Sequence, residues 1–232
     1  MKLMKTSALK LSKGEETRAV ILKAALQHAS VAGFEGLTIG TLAAETGLSK
    51  SGLFAHFGSK EELQIATLDE AVRRFNEAAL MPALAAPRGL KRLTALSESW
   101  LTWTQRCELK GCPMMSAAQE FDDKVGPVRD AVVEHMQRMN DGLVKSIQAA
   151  ITNGEFAADT DAEQIAFEMF GIISSTYRSR NLFQDKNANM RAKRAFERLM
   201  ASCLARETNP ITPPAVSSER ARTKSKRTAS KP

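Results

Sequence analysis

Residues 38–63 read TIGTLAAETGLSKSGLFAHFGSKEEL, and this stretch decides the fold. Thr38 can cap a helix by accepting a backbone N–H, and apolar residues follow it at helical spacing. Gly47 suits the left-handed conformation that ends a helix, and Ser49 can cap the next one. Ser59 can cap a third helix in the same way. Two short helices joined by a tight turn are typical of a helix-turn-helix.

In a helix-turn-helix, the second helix lies in the major groove of DNA. Here that helix begins after Ser49, and its exposed first turn carries Lys50, Ser51 and Gly52. These residues are small or flexible donors, suited to approaching base edges and phosphates. The turn alone is a weak indication, because many small helical proteins contain capped helices and glycine turns.

The similarity extends well beyond the turn. Residues 17–68 resemble the N-terminal domain of the TetR family of bacterial repressors, and by helix layout the resemblance covers nearly the whole chain. It rests on a dense set of matching positions: Ala24, Ala25, Phe34, Gly36, Thr38, Ile39, Leu42, Ala43, Gly47, Ser49, Leu53, Phe57, Lys60, Glu61 and Leu63.

The resemblance implies which residues contact DNA. Thr38, His56 and Lys60 are expected to hold phosphates, and residues 50–52 are expected to face the bases. The full predicted contact set is Thr38, Ser49, Lys50, Ser51, Gly52, Phe54, His56 and Lys60.

Two positions depart from the family pattern. Phe54 stands where the family usually has a tyrosine, whose hydroxyl would reach a phosphate, and Ala55 stands where a larger residue is common. Both departures remove contacts to the DNA backbone. They affect the predicted affinity more than the predicted register, because one neutral hydrogen bond contributes only about 1 kcal/mol.

The net charge of +7 is concentrated at the two ends of the chain. Residues 1–18 carry five basic and two acidic residues, residues 208–232 carry six and one, and the body between them is close to neutral at −1. The C-terminal tail is rich in Pro, Ser and Lys, a composition that predicts disorder. It is either a solubilising tail or a sequence-independent phosphate-binding arm.

Several classes of protein find no support in the sequence. No apolar run approaches the length of a membrane span, and the N-terminus does not resemble a signal peptide. Three cysteines without paired spacing predict a reducing compartment, and hence a cytoplasmic protein. His28, His56 and His135 are scattered, so no metal site and no cofactor is expected. No nucleophile–base grouping or phosphate-binding glycine loop indicates an enzyme.

Helical periodicity continues to the end of the body, with no alternation typical of strands. We predict an all-α fold of about nine helices. The predicted organisation is a basic flexible arm (1–14), a three-helix helix-turn-helix domain (15–62), a helical effector-binding and dimerisation domain (63–207) and a disordered basic tail (208–232). The first helix after Ser59 is predicted to end near Leu80, stopped by Pro82.

The helix predicted over residues 161–182 is apolar nearly all round, so it is buried on more than one side. It is either buried within one subunit or part of a subunit interface. The resemblance favours the interface, since TetR-type proteins pair their last two helices as a dimer. We therefore predict a homodimer through helices near 161–182 and 188–205, binding a near-palindromic DNA operator.

The middle of the chain is rich in large, adaptable side chains, and the family arranges these helices around a ligand cavity. Ordinary core packing is the alternative for each residue. The predicted polar anchors are Gln119, Glu120, His135, Ser174, Tyr177 and Arg178. The predicted effector-binding residues are Trp100, Trp103, Met114, Met115, Phe121, Met136, Met139, Phe167, Phe170 and Tyr177.

These observations predict a DNA-binding transcriptional regulator, as a repressor released by a small, largely apolar effector. The alternative is a helix-turn-helix regulator without a small-molecule ligand, controlled by a partner or by oxidation of Cys112. Cys107 and Cys112 flank a predicted loop, where they are either inert or reactive thiols.

Overall fold

The computed structural model describes residues 12–106, 109 and 111–205, and within them no β-strand is present. The prediction of an all-α fold is confirmed. The helices are α1 (Lys13–Ala32), α2 (Ile39–Thr46), α3 (Lys50–Phe57), α4 (Lys60–Phe75), α5 (Met81–Leu84), α6 (Leu90–Arg106), α7 (Pro113–Glu120), α8 (Pro127–Thr152), α9 (Ala162–Asn181) and α10 (Ala188–Cys203).

Side-chain caps fix where the first helices begin. Thr38 accepts a hydrogen bond from the backbone N–H of Thr41, and Ser49 accepts one from Gly52. Gly47 ends α2 with φ 68° and ψ 14°, the left-handed conformation that its position in the sequence predicts. Large apolar side chains from α1 to α4 meet in a small core beneath the turn, including the fully buried Leu26, Phe34, Leu42, Leu53 and Leu63.

Pro82 does not stop the helix, so the predicted end near Leu80 is wrong. A π-helical turn, Asn76–Leu80, follows α4 directly, and α5 follows that turn without a break. Proline lacks an N–H and its ring collides with the carbonyl four residues earlier in an α-helix. The wider π turn changes which carbonyl lies opposite the proline, so the helix continues to Leu84.

The remaining helices form the larger part of the molecule. Here α9 packs against α8 and α10, and α6 packs against α8, α10 and the π turn. Their shared core contains the fully buried Ile147, Ala166, Met169 and Ile173. Among the described helices, none has the length and hydropathy needed to cross a membrane.

One continuous helix belongs to both parts of the molecule. Helix α4 packs against α1 and α3, and it also contacts α7 and α8 of the larger part. The predicted boundary between residues 62 and 63 therefore falls inside α4. The predicted arm and tail lie outside the described residues, except for residues 12–14 of the arm.

Candidate DNA-binding surface and effector cavity

The helix predicted to read DNA presents one face to solvent. Leu53 and Phe57 anchor α3 in the core, whereas Lys50, Ser51 and Phe54 are exposed. The hydroxyl of Ser49 accepts from the backbone N–H of Gly52 at 3.0 Å and lies 3.1 Å from the hydroxyl of Ser51. The cap thus holds the first turn of α3 while leaving its outer face free for a partner.

The residues predicted to contact phosphates surround this face, and they differ in exposure and in hydrogen bonding. Thr38 is exposed, and its hydroxyl caps α2 at 3.1 Å from the backbone N of Thr41. His56 is half-buried near the C-terminus of α3. Lys60 is exposed, but its Nζ donates to the carbonyl of Glu35 at 2.9 Å, so a phosphate would have to compete with this bond.

An exposed cation that the sequence analysis missed lies beside α3. The guanidinium of Arg18 lies over the ring of Phe57, 5.1 Å from its centroid. The two residues are far apart in the sequence, and the packing of α1 and of α3 against α4 brings them together. A cation–π contact of this kind contributes about 0.5–1 kcal/mol at an exposed site.

The loop between α1 and α2 is held by a carboxylate from the larger part of the molecule. Glu120, the last residue of α7, accepts hydrogen bonds from the backbone N–H groups of Phe34 and Glu35, at 3.1 and 3.0 Å. Gly33 has φ 75°, a conformation that favours glycine, and a Cβ there would displace the Glu120 carboxylate. Glu120 was predicted as a polar anchor for an effector, and the structure places it instead at this junction.

Two further contacts reinforce the junction. Lys124 forms a salt bridge with Glu35 at 2.7 Å, and its hydrogen bond and charge hold the pKa of that carboxyl below the usual value. The buried amide of Gln64 on α4 donates to the carbonyl of Phe34 at 2.7 Å. Hydrogen bonds from both α4 and α7 therefore hold this loop.

A cavity of about 530 Å³ lies between α4, the π turn, α5, α6 and α8. Its buried wall includes Phe75 and Trp100, whose ring centroids are 5.6 Å apart in an edge-on arrangement. A volume of this size is typical of small-molecule sites. The lining residues are Asp69, Val72, Arg73, Phe75, Asn76, Leu80, Ala83, Leu84, Arg92, Leu96, Trp100, His135, Arg138, Met139, Gly142, Leu143 and Ser146.

Of the ten predicted effector-binding residues, Trp100 and Met139 line this cavity, together with the predicted anchor His135. Phe170 packs behind Trp100, with ring centroids 5.3 Å apart. Trp103 and Tyr177 border a separate cavity of about 10 Å³.

The structure places the remaining predicted residues elsewhere. Met114 and Phe121 are buried in the core, Met115 and Met136 are partly buried against it, and Phe167 is 73% exposed on α9. Among the predicted polar anchors, Gln119, Ser174 and Arg178 are exposed and also lie outside the cavity.

Sequence reasoning missed most of the polar lining. Asp69, Arg73, Asn76 and Arg92 come from α4, the π turn and α6, and a search for large apolar side chains passes over them. Asn76 and Leu80 belong to the π turn, which the sequence pattern did not reveal. A π turn is frequent at functional sites, and this one forms part of the cavity wall.

The charged residues at the cavity are mostly paired. Asp69 on α4 and His135 on α8 lie 2.7 Å apart, and Arg73 lies 2.7 Å from Glu70. The hydrogen bond from Arg73 holds the pKa of Glu70 below its ordinary value, although partial burial opposes the shift. Arg138 pairs with Glu134 on its own helix.

A second, open groove runs along the two last helices. It is bordered by Phe167, Gly171 and Ile172 of α9 and by Ala195 and Leu199 of α10. These are the helices that the sequence predicts to form a dimer interface. The exposed Phe167 lies in the groove, where one chain alone leaves it in water.

The two described cysteines, Cys112 and Cys203, are both buried. Cys112 precedes α7 and is only 6% exposed. Burial raises the pKa of the Cys203 thiol, which disfavours the reactive thiolate. Cys107 lies outside the described residues. Within the described part of the chain, no three His, Cys, Asp or Glu side chains are grouped to hold a metal ion.

Two family models match the chain. Residues 21–67 match the bacterial regulatory proteins of the tetR family, and residues 89–196 match the tetracyclin repressor-like C-terminal domain. No curated protein sequence matches significantly.

Solved structures share the fold. A TetR-family transcriptional regulator from Cytophaga hutchinsonii has a TM-score of 0.74 at 22% identity, over 85% of this chain and 100% of that one. A TetR regulator from Chloroflexus aurantiacus has a TM-score of 0.73 at 24% identity, over 82% and 96%. A protein from Saccharomonospora viridis, in complex with choline, has a TM-score of 0.70 at 18% identity, over 83% and 99%. With both family models matched in order along one helical chain, this protein belongs to the TetR family of bacterial transcriptional regulators, which bind DNA and are not enzymes.

Proposed function

We propose that the protein is a repressor that binds a near-palindromic operator as a homodimer and leaves it when a small, largely apolar effector binds. One observation carries this proposal. The wall of the 530 Å³ cavity is built in part by α4, the same helix that packs against the reading helix α3. A molecule that fills the cavity therefore acts directly on an element of the DNA-binding part.

The proposed coupling runs through α4 and the junction at Glu120. An effector that displaces α4 shifts the helices packed on its N-terminal half, and the two reading helices of a dimer then no longer fit successive grooves. The response cannot exceed the difference in effector affinity between the two states. Choline in the Saccharomonospora viridis structure supports the idea that this fold accommodates a small organic molecule.

The proposed dimer explains how a short reading helix reaches specificity. Two copies related by a twofold axis contact two half-sites one or more helical turns apart. The apolar groove along α9 and α10 supports this arrangement, since a second copy would cover the exposed Phe167. The residues proposed to contact DNA remain those predicted above.

Selection of bound fragments from genomic DNA tests the proposal. We expect one enriched, near-palindromic sequence, and we expect a screen of small organic molecules to find compounds that release it. Enrichment of unrelated fragments would contradict a sequence-specific repressor. An operator that no small molecule releases would instead favour control without a ligand.

A further inference from the structure

Arg92 brings an unneutralised positive charge to the effector cavity. It is partly buried at the start of α6 and lines the cavity. Its Nε donates to the carbonyl of Ala86 at 3.1 Å, and its Nη2 donates to the carbonyls of Leu84 and Ala86 at 3.1 and 2.8 Å. Carbonyl groups carry no net charge, and Arg92 has no salt bridge among the described residues.

Each of the other charged groups that line the cavity has a side-chain partner, and the partner of Asp69 is a histidine, which carries a charge only when it is protonated. Asp69 is held by His135 at 2.7 Å, and Arg73 lies 2.7 Å from Glu70. Arg138 pairs with Glu134 on α8. Of the cavity-lining arginines described, Arg92 is therefore the one without a carboxylate.

The hydrogen bonds of Arg92 to the backbone use only some of the donors of its guanidinium group. They satisfy carbonyls at the C-terminal end of α5, where a cation is favourable. They use Nε and Nη2, and no hydrogen bond of Nη1 to a described residue is present. The carbonyls also fix the plane of the guanidinium, so little rotamer freedom is lost when a ligand binds Nη1.

The rest of the wall is apolar and aromatic. Phe75, Leu96, Trp100 and Leu143 are buried and line the cavity. A ligand that matches both features has an apolar body and one anionic group. A carboxylate is the natural partner of a guanidinium, because its oxygens accept charge-assisted N–H bonds.

We propose that the effector is an amphipathic organic acid, with its carboxylate bound by Arg92 and its apolar body against Trp100 and Phe75. This rests on the proposed function in taking the cavity as the effector site. A positively charged effector is the opposite outcome, and it would bind Asp69, whose carboxylate contacts His135 through one oxygen.

Three probes with the same ten-carbon tail separate these outcomes: decanoate, 1-decanol and decylammonium. Their binding to the DNA-free dimer can be followed by tryptophan fluorescence, since both tryptophans of the chain, Trp100 and Trp103, pack on the ring of Phe75. We expect decanoate to bind about tenfold or more tightly than 1-decanol, as a charge-assisted hydrogen bond allows. Decylammonium should bind more weakly than either.

Variants identify the residue responsible. Arg92→Met keeps an apolar stem of similar length, and we expect it to abolish the preference for decanoate over 1-decanol, a ratio that a general loosening of the cavity would not remove. Arg92→Lys should retain part of the preference. Arg88→Met is the matched control, because Arg88 is exposed and does not line the cavity.

Several results would overturn the proposal. These are equal binding of decanoate and 1-decanol, tighter binding of decylammonium, a preference that survives in Arg92→Met, or no binding of decanoate up to about 1 mM. The assay contains no DNA, so its outcome is independent of operator release. An acid that binds through Arg92 without releasing an operator would contradict the proposed repressor mechanism, but it would leave Arg92 as the carboxylate-binding residue of this cavity.

Discussion

At the scale of single residues, α3 combines a well-anchored start with few donors for the DNA backbone. Ser49 caps it, Leu53 and Phe57 fix it to the core, and the ring of Phe54 is 50% exposed. We propose that Phe54 faces DNA, with an apolar surface at a position where the family resemblance implies a hydroxyl. The sequence was sufficient to predict this face, because caps and buried positions follow local rules.

The variant Phe54→Tyr should bind the operator more tightly. The added hydroxyl can donate to a phosphate, and one hydrogen bond contributes about 1 kcal/mol, or about fivefold in the dissociation constant. Fluorescence anisotropy with a labelled operator fragment measures the change. Phe183→Tyr, at an exposed position after α9, is the control and should leave the affinity unchanged. Equal or weaker binding by Phe54→Tyr would show that the missing hydroxyl is no deficit.

At the scale of elements, the decisive feature is the continuity of α4, the π turn and α5. The caps at Thr38 and Ser49 and the turn at Gly47 could be predicted, because each depends on residues close in sequence. The continuation of the helix past Pro82 could not be predicted, since the local rule for proline predicts that the helix stops there. The part of the cavity wall built by the π turn, including Asn76, escaped prediction for the same reason.

The hydrogen bonds between Glu120 of α7 and the α1–α2 loop predict the effect of Glu120→Gln. An amide has one acceptor oxygen, whereas the carboxylate accepts two backbone N–H groups, so one of them loses its partner. We expect the free energy of unfolding to fall by about 1–3 kcal/mol, with a lower melting temperature. We also expect the effector concentration for half-release of the operator to change, because the junction joins the two parts.

Asp123→Asn provides the control for this variant. Asp123 is an exposed carboxylate three residues beyond Glu120, and its amide should behave as the wild type. Calorimetry and operator release, measured on both variants, separate a junction contact from a general effect of lost charge. A Glu120→Gln variant with the melting temperature and the operator release of the wild type would show that the two hydrogen bonds do not stabilise the junction.

At the scale of the whole molecule, the groove along α9 and α10 is the surface that one chain leaves open. A helix apolar nearly all round predicted a buried element, but periodicity could not say whether the second face is covered by the same chain. In the structure, α9 buries Met169 and Ile173 inside the subunit and leaves Phe167 exposed. A second copy of the chain is the partner that we propose for this face.

A charge at the centre of the groove should separate the proposed dimer. Phe167→Asp places a carboxylate where two copies would bury an aromatic ring, an uncompensated charge that an interface does not tolerate. Sedimentation should show a monomer, and operator affinity should fall at least about tenfold because one reading helix contacts only one half-site.

Val125→Asp is the matched control for the dimer variant. Val125 is 95% exposed in the loop before α8 and lies outside the groove, so we expect an unchanged dimer and unchanged operator binding. The folded state of both variants can be checked by circular dichroism. A dimeric Phe167→Asp protein would place the subunit contact on another surface.

The junction at Glu120 also bears on how such a protein can diverge. Glu120 accepts hydrogen bonds from backbone N–H groups, which every residue except proline possesses, so these two bonds, unlike the Lys124 salt bridge, do not depend on the side chain at position 35. The positions that tolerate least change are Gly33, where a positive φ favours glycine and a Cβ would displace the carboxylate, and Glu120 itself. Substitutions can therefore accumulate on the surface of this loop during evolution while the hydrogen bonds that join the two parts are retained.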